Sequence, residues 1–240
     1  MRRLAALVLL VPLAAACGGG SKTSTASAAA PVDAVKSAAQ KTYNAGSESL
    51  ALTANVDASG QSVALSGKGA FETKTARGSL QLDVNATPIT TTIDEVLVGT
   101  AVYLRSPLLA GSLPGGKTWL KLDLTKLRVS GIDLQSLLAQ DPGAELKRLR
   151  ALESATKVGT DQIGTHYKVQ ATTGSIRDYD VWVGGDGYIH RVVVAQASPK
   201  VSATIDLSKF GTKVTAAAPP AAQVYESKNG SIPGLGGVGA

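Results

Sequence analysis

From Ser49 onward, segment after segment of this chain places apolar residues at every second position. A period of two belongs to strands, because successive side chains on a strand point to opposite faces. In "SLALTANVDA" the residues Leu50, Leu52, Ala54, Val56 and Ala58 share one side, and Ser49, Thr53, Asn55 and Asp57 share the other. The alternation recurs in "SVALSGKGAF" through Val63, Leu65, Gly67, Gly69 and Phe71, and in "SLQLDVNA" through Leu80, Leu82, Val84 and Ala86. It continues in "ITTTIDEVLVG", "AVYLRS" and "WLKLDL", and resumes in "ATKVGTDQI", "THYKVQATT", "SIRDYDVWV", "YIHRVVVA" and "KVSATIDL". Short turns join these runs, so they predict an antiparallel meander with one face buried and one solvated. The clearest hairpin is "VWVGGDGYIHR", where Asp186-Gly187 supplies the turn.

Two stretches break the period. "PVDAVKSAAQKTYNAG" predicts a helix, with Pro31 in its first turn, an apolar stripe of Val32, Val35, Ala39 and Tyr43, and Gly46 as its cap. "GIDLQSLLAQDPGAELKRLRALE" predicts two more, capped by Asp133 and by Asp141 ahead of Pro142. Leu134, Leu137 and Leu138 face inward from the first, and Leu146, Leu149 and Leu152 from the second. The leucine-rich "SPLLAGSLPGGK", punctuated by Pro and Gly, reads as an ordered loop. The expected class is α+β: a strongly curved antiparallel sheet of about ten or eleven strands around three short helices. Small residues recur on the inner face at Ala54, Ala58, Gly67, Gly69, Ala86, Ala171 and Ala203. Either the helices pack very close there, or a cavity remains. Residues placed to line such a cavity are Leu50, Leu52, Ala54, Val56, Leu65, Leu82, Val84, Leu120, Leu122, Val169, Val181 and Ile205.

The first residues carry a different signal. Arg2 and Arg3 precede the apolar run Leu4–Leu13, then Ala14, Ala15 and Ala16, then Cys17, the single cysteine of the chain. A charged start, a short apolar stretch and small residues form a secretory signal over 1–16. The run is too short to span a bilayer, which takes ~20 residues. Cysteine directly after the small residues resembles the bacterial lipobox, although Ala14 stands where leucine is usual. That resemblance implies a diacylglycerol on the Cys17 sulfur and Cys17 as the new N-terminus; ordinary cleavage would leave it unmodified. Two or more acyl chains hold a domain on a membrane where one does not. Gly18–Ala30 is Gly, Ser, Thr and Ala with one charge, Lys22, and reads as a flexible tether spanning roughly 20 Å. The expected organisation is signal 1–16, lipidated cysteine and tether 17–30, one domain 31–225, and a Gly-rich tail 226–240.

Several functions are disfavoured. Net charge is +6, or +4 once Arg2 and Arg3 leave with the signal, and it is spread along the chain. A nucleic-acid surface would show a dense basic block interleaved with aromatics. His166 and His190 have no second histidine or cysteine at ligand spacing, so no metal or other cofactor is implied. "GLGGVG" has dinucleotide-fingerprint spacing but neither follows a strand nor opens a helix. Asp94, Glu95, Asp178 and Asp180 read as carboxylates of a solvated outer face, and Lys147, Arg148 and Arg150 as a solvated helix face. Trp119 and Trp182 fall on nominally polar strand faces, covered there by a loop or terminus, or exposed at a membrane-contacting rim.

Several longer phrases carry a family resemblance: "AVYLRSPLLAGSLPGGKTWLKLDL", "GIDLQSLLAQDP", "THYKV", "VWVGGDGYIHRV" and "IDLSKFGTKVTAAAPPAAQV". Across residues 32–225 the chain resembles the actinobacterial LppX/LprG-type lipoproteins, which share a fold with the LolA and LolB lipoprotein carriers. The resemblance implies a U-shaped half-barrel sheet around a few helices, enclosing an apolar cavity. It also implies binding of an acylated lipid or glycolipid and its transfer across the envelope, with no catalytic set. The expectation is a membrane-anchored, extracytoplasmic lipid carrier; a sensor or scaffold holding a protein partner is the alternative.

Overall fold

The computed structural model describes residues 30–58, 61–124, 146–147, 149–170, 178–197 and 200–227. The first helix forms where its signals stand. α1 (Pro31–Ala45) has Pro31 and Asp33 in its first turn, where the helix dipole favours an acid. It ends at Gly46, whose φ of 83° only glycine adopts without strain, and whose N–H closes on Tyr43 O. Val35 and Ala39 are buried as the stripe predicts, with Ala38 and Thr42 beside them. Thr42 Oγ1 donates to Ala38 O and accepts from Ile189 N–H at 2.9 Å, which fastens the helix to the sheet.

Alternation becomes strand throughout. The strands are β1 (Ser47–Ala58), β2 (Gln61–Glu72), β3 (Arg77–Ala86), β4 (Ile89–Val98), β5 (Ala101–Arg105), β6 (Trp119–Asp123), β7 (Ser154–Thr160), β8 (Thr165–Gln170), β9 (Asp178–Val183), β10 (Ile189–Ala197), β11 (Lys200–Ser208) and β12 (Val224–Glu226). They form one sheet in the order β12-β6-β5-β4-β3-β2-β1-β11-β10-β9-β8-β7. Two meanders therefore share a seam: β1 to β6 runs outward to one edge, and β7 to β11 returns from the other edge to pair with β1. Every ladder is antiparallel except that of β12, which lies parallel to β6. β12 is the strand that alternation misses, because three residues are too few to show a period.

The sheet is open and curved. Twelve flat strands at ~4.8 Å spacing would stretch over roughly 50 Å, far wider than the ~10 Å a helix covers. Yet Leu122 of β6, Val169 of β8, and Val35 and Ala39 of α1 belong to one continuous buried cluster. Curvature brings the two halves of the sheet to the same core. α1 lies against β7–β10. Of the two helices expected after β6, residues 125–145 lie outside the described residues. Leu146 and Leu149 sit in helical turns and, with Leu152, are fully buried. Arg150 lies against α1, with Nη1 donating to Gln40 Oε1 at 2.8 Å and its guanidinium 4.5 Å from the Tyr43 ring.

The small inner-face residues of β2 have a local cause. A Cβ at Gly67 would stand 2.8 Å from Gln81 O and 3.1 Å from Leu82 Cδ1, and one at Gly69 would collide with Ser79 O. These glycines let β2 and β3 approach closely and leave room for the leucines of β3, rather than emptying space. Phe71 lies over Gly78 in the same manner, at positions opposite each other on the two strands. Ala171 and the side chain of Ala58 lie outside the described residues. The "SPLLAGSLPGGK" loop is ordered, with turns at Pro107–Leu109 and Pro114–Gly116 that bury Leu109 and Leu113.

Candidate apolar binding trough

Register places the inner-face residues in rows across the strands. The first row contains Glu48, Phe71, Gly78, Leu97, Val102 and Leu122. The second contains Leu207, Leu50, Gly69, Leu80, Glu95, Leu104, Leu120 and Tyr225. The third runs Val192, Ile205, Leu52, Gly67, Leu82, Ile93, and the fourth Val194, Ala203, Ala54, Leu65, Val84, Thr91. Burial falls along this sequence of rows. The first row is buried throughout. In the third and fourth, Leu82, Ile93, Leu65, Val84, Ala203 and Ile205 are only half-buried, and so are Val56, Val63 and Val201 beyond them. Past these, Ile89 at the start of β4 is 48% exposed. The result is a partly open apolar trough on β11 and β1–β4, which begins at the half-buried Gly69 and Leu80 of the second row and opens toward the β1–β2 and β3–β4 turns.

The residues predicted to line a cavity divide accordingly. Leu120, Leu122, Val169 and Val181 are sealed in the core, and Leu50, Leu52 and Ala54 are nearly so. Val56, Leu65, Leu82, Val84 and Ile205 are half-buried on the inner face, toward the open end. Cys17 lies outside the described residues.

Sequence reasoning placed Glu95 on the solvated face, and the structure overturns this. Glu95 is 8% exposed on the inner face, between Leu80 and Leu104 across the strands and Ile93 and Leu97 along its own. The signal was present in the phase of "ITTTIDEVLVG", where position 95 falls in step with 93 and 97. Its neighbour Asp94 does face outward, where Arg105 donates to Oδ2 from Nη2 at 2.7 Å and from Nε at 3.0 Å. The two adjacent carboxyls are consequently driven apart. The hydrogen bond from Arg105 holds Asp94 below the ordinary aspartate range, whereas burial pushes Glu95 up to about 7. Glu48 is a second buried acid on this face.

Glu95 makes stability depend on pH. Its folded-state pKa lies above the unfolded value of 4.5, so the folded chain holds the extra proton between these limits. Its contribution is complete below pH 4.5 and is lost as pH rises toward about 7. The loss amounts to roughly 3 kcal/mol. Urea unfolding of a Glu95→Gln variant is expected to remove that fall between pH 5 and 8; an unchanged pH profile would show that Glu95 does not titrate there.

The remaining polar candidates are engaged on the outer face. His166 Nε2 lies 2.6 Å from Asp180 Oδ1, and His190 Nε2 lies 3.0 Å from both carboxylate oxygens of Asp186. Trp182 stacks on His166 at 4.1 Å, and its Nε1 donates to Asp161 Oδ2 at 2.7 Å, so the β7–β8 turn covers it. Trp119 is covered by Arg105, 4.8 Å from its ring, and lies opposite Val224 of β12. A polar groove of about 650 Å³ runs between α1, Arg150 and Tyr188, lined by Lys36, Gln40, Lys41 and Asn44. It lies outside the trough. No helix among the described residues is long and apolar enough to cross a membrane.

The geometry defines an open, curved sheet with a one-ended apolar trough. Among solved structures the chain is similar to LprF from Mycobacterium bovis, at 15% identity and a TM-score of 0.47, over 79% of this chain and 96% of that one. It is also similar to the lipoprotein LppX from Mycobacterium tuberculosis, at 12% identity and 0.47, over 78% and 97%. A putative outer membrane lipoprotein-sorting protein domain from Vibrio parahaemolyticus matches at 10% identity and 0.34, over 74% and 92%. No protein-family model and no curated protein matches the chain.

Proposed function

We propose that this chain is a membrane-anchored envelope lipoprotein that binds an acylated lipid or glycolipid in the trough and carries or presents it across the envelope. The observation that carries the reading is the burial gradient: five neighbouring strands carry a strip of half-buried apolar residues toward one end of an inner face whose first row is buried throughout. A strip of that kind gains about 25 cal/mol for each Å² of apolar surface it removes from water, which suits an acyl chain. Apolar burial is non-directional, so it selects chain length and shape more than head group. Native mass spectrometry with lipid extraction, on protein expressed in an actinobacterial host, tests the reading. A co-purifying acylated lipid at near-unit stoichiometry is expected; lipid-free protein, or a stoichiometric protein partner instead, would overturn it.

Attachment at Cys17 supplies the reason for a tether, since a lipid carrier must stay within reach of a bilayer. Metabolic labelling with a palmitate analogue is expected to mark the wild-type chain and not a Cys17→Ser variant. That variant should also leave the membrane fraction. Equal labelling of both would place the acyl group elsewhere.

A further inference from the structure

We propose that Glu95 is the polar anchor of the trough, a carboxyl that donates a hydrogen bond to a neutral oxygen acceptor, an ester carbonyl or hydroxyl, at the buried end of an acylated lipid. This deepens the preceding reading and rests on it. The first observation is position. Glu95 stands at the inner end of the trough, opposite the half-buried Leu80, one row along β4 from the half-buried Ile93 and one row before the buried Leu97. A chain lying in the trough with one end inward brings that end to the carboxyl.

The second observation is the company it keeps. Leu80, Leu104, Ile93 and Leu97 surround it, and no hydrogen bond or ion pair to the carboxyl exists among the described residues. Glu95 as a residue is only 8% exposed, and its carboxyl has no protein partner among the described residues of this apolar face; water is all that serves it, and a ligand that displaces that water must supply a hydrogen bond in its place. Neighbouring charges do not provide it. Asp94 and Arg105 pair on the opposite face. Among the described residues of β1–β6, the other acid on this face is Glu48, in the next row and three strands away on β1; Tyr225 of β12 is at the edge of Glu95's own row. The Pro107–Leu109 turn, which also packs on β4, brings Leu109 and no charge.

The third consideration is protonation. Burial already pushes the Glu95 carboxyl up to about 7, and an acyl chain laid over it would desolvate it further. The neutral acid is then the form compatible with a loaded trough, and a neutral acid is a donor. Its complement is an oxygen with lone pairs and no charge, as in the ester linkages of a diacylglycerol. A phosphate or carboxylate head group buried beside the ionised form would be repelled. Loading is therefore expected to favour mildly acidic conditions and release to favour alkaline ones.

Fluorescence titration of the purified full-length protein tests this with two probes, an NBD-labelled diacylglycerol and a pyrene-labelled alkane of matched length, each at pH 5.5 and 8.5. The wild type is expected to bind both probes about tenfold more weakly at pH 8.5, a shift equivalent to one pKa unit. Glu95→Gln keeps a donor and cannot titrate, so its diacylglycerol affinity should be the same at both pH values within about twofold. Glu95→Leu should bind the alkane equally at both pH values and lose about tenfold in preference for the ester, the worth of one hydrogen bond. Persistence of the pH response in Glu95→Gln, or of the ester preference in Glu95→Leu, overturns the proposal. Binding of both probes by the wild type with no pH response overturns it while leaving the lipid-binding function standing. Binding of neither probe at either pH overturns both.

Discussion

Leu82→Asp is expected to weaken acyl-lipid binding at least a hundredfold while the protein still folds. Leu82 lies in the third row of the trough, half-buried, with Gly67 and Ile93 opposite it on β2 and β4. In the empty protein an aspartate there can reach water, so the folding penalty is confined to about 1–2 kcal/mol of lost apolar burial. A bound chain removes that water. Covering an ionised carboxylate with hydrocarbon costs several kcal/mol, and about 2.7 kcal/mol already corresponds to a hundredfold in Kd. Asn85→Asp provides the comparison, because Asn85 is on the same strand, exposed on the outer face. It should bind lipid as the wild type does. Equal affinities for the two variants, measured by titration with a fluorescent diacylglycerol, would show that the ligand does not lie on this face.

The largest effect on stability is expected at Gly69. A Cβ there would occupy the space of Ser79 O on β3, so Gly69→Val must push β2 and β3 away from each other in the middle of the first meander. Overpacking of this kind costs about 3 kcal/mol or more, which lowers Tm by roughly 6–12 °C in a domain of this size. Gly159 is the control. It lies on the edge strand β7, and a Cβ built there meets nothing within 4 Å. Gly159→Ala should change stability by less than about 0.5 kcal/mol. Thermal denaturation followed by circular dichroism distinguishes the two. If both variants melt together, the close approach of β2 and β3 is not what the glycine serves.

Much of the fold is legible in single segments. Leu50, Leu52, Ala54 and Val56 face inward because their spacing is two, and nothing elsewhere in the chain is needed to say so. Pro31 and Gly46 bracket α1 for equally local reasons. Asp186-Gly187 turns β9 into β10, with Gly187 at a φ of 77° and its N–H on Gly184 O at 2.9 Å. Two things are not legible in single segments, and a third, Glu95, is legible only from its phase. β12 is too short to carry a period, and it joins the sheet only because β6 offers an edge. Glu95 was read by its charge rather than its phase, and charge suggests water while phase dictates the face. The glycines of β2 leave close helix packing and a cavity equally open as local patterns, whereas it is the neighbouring strand that fills the space beside them.

The same limit applies to the site. Alternation places the twelve candidate lining residues on one face of the sheet. It could not say which of them stay accessible. Leu82 and Leu122 have identical local patterns, yet one is half-buried at the open end and the other fully sealed near β6. The sequence alone determined strand phase, the first helix and its cap, and the two-faced character of the sheet, because each depends on residues two to four apart. Only the tertiary structure decided where the sheet curves, which strands α1 lies against and where the trough opens. Those outcomes depend on contacts such as α1 with β10 and β11 with β1, between residues about 150 positions apart, as in Thr42–Ile189 and Leu50–Leu207.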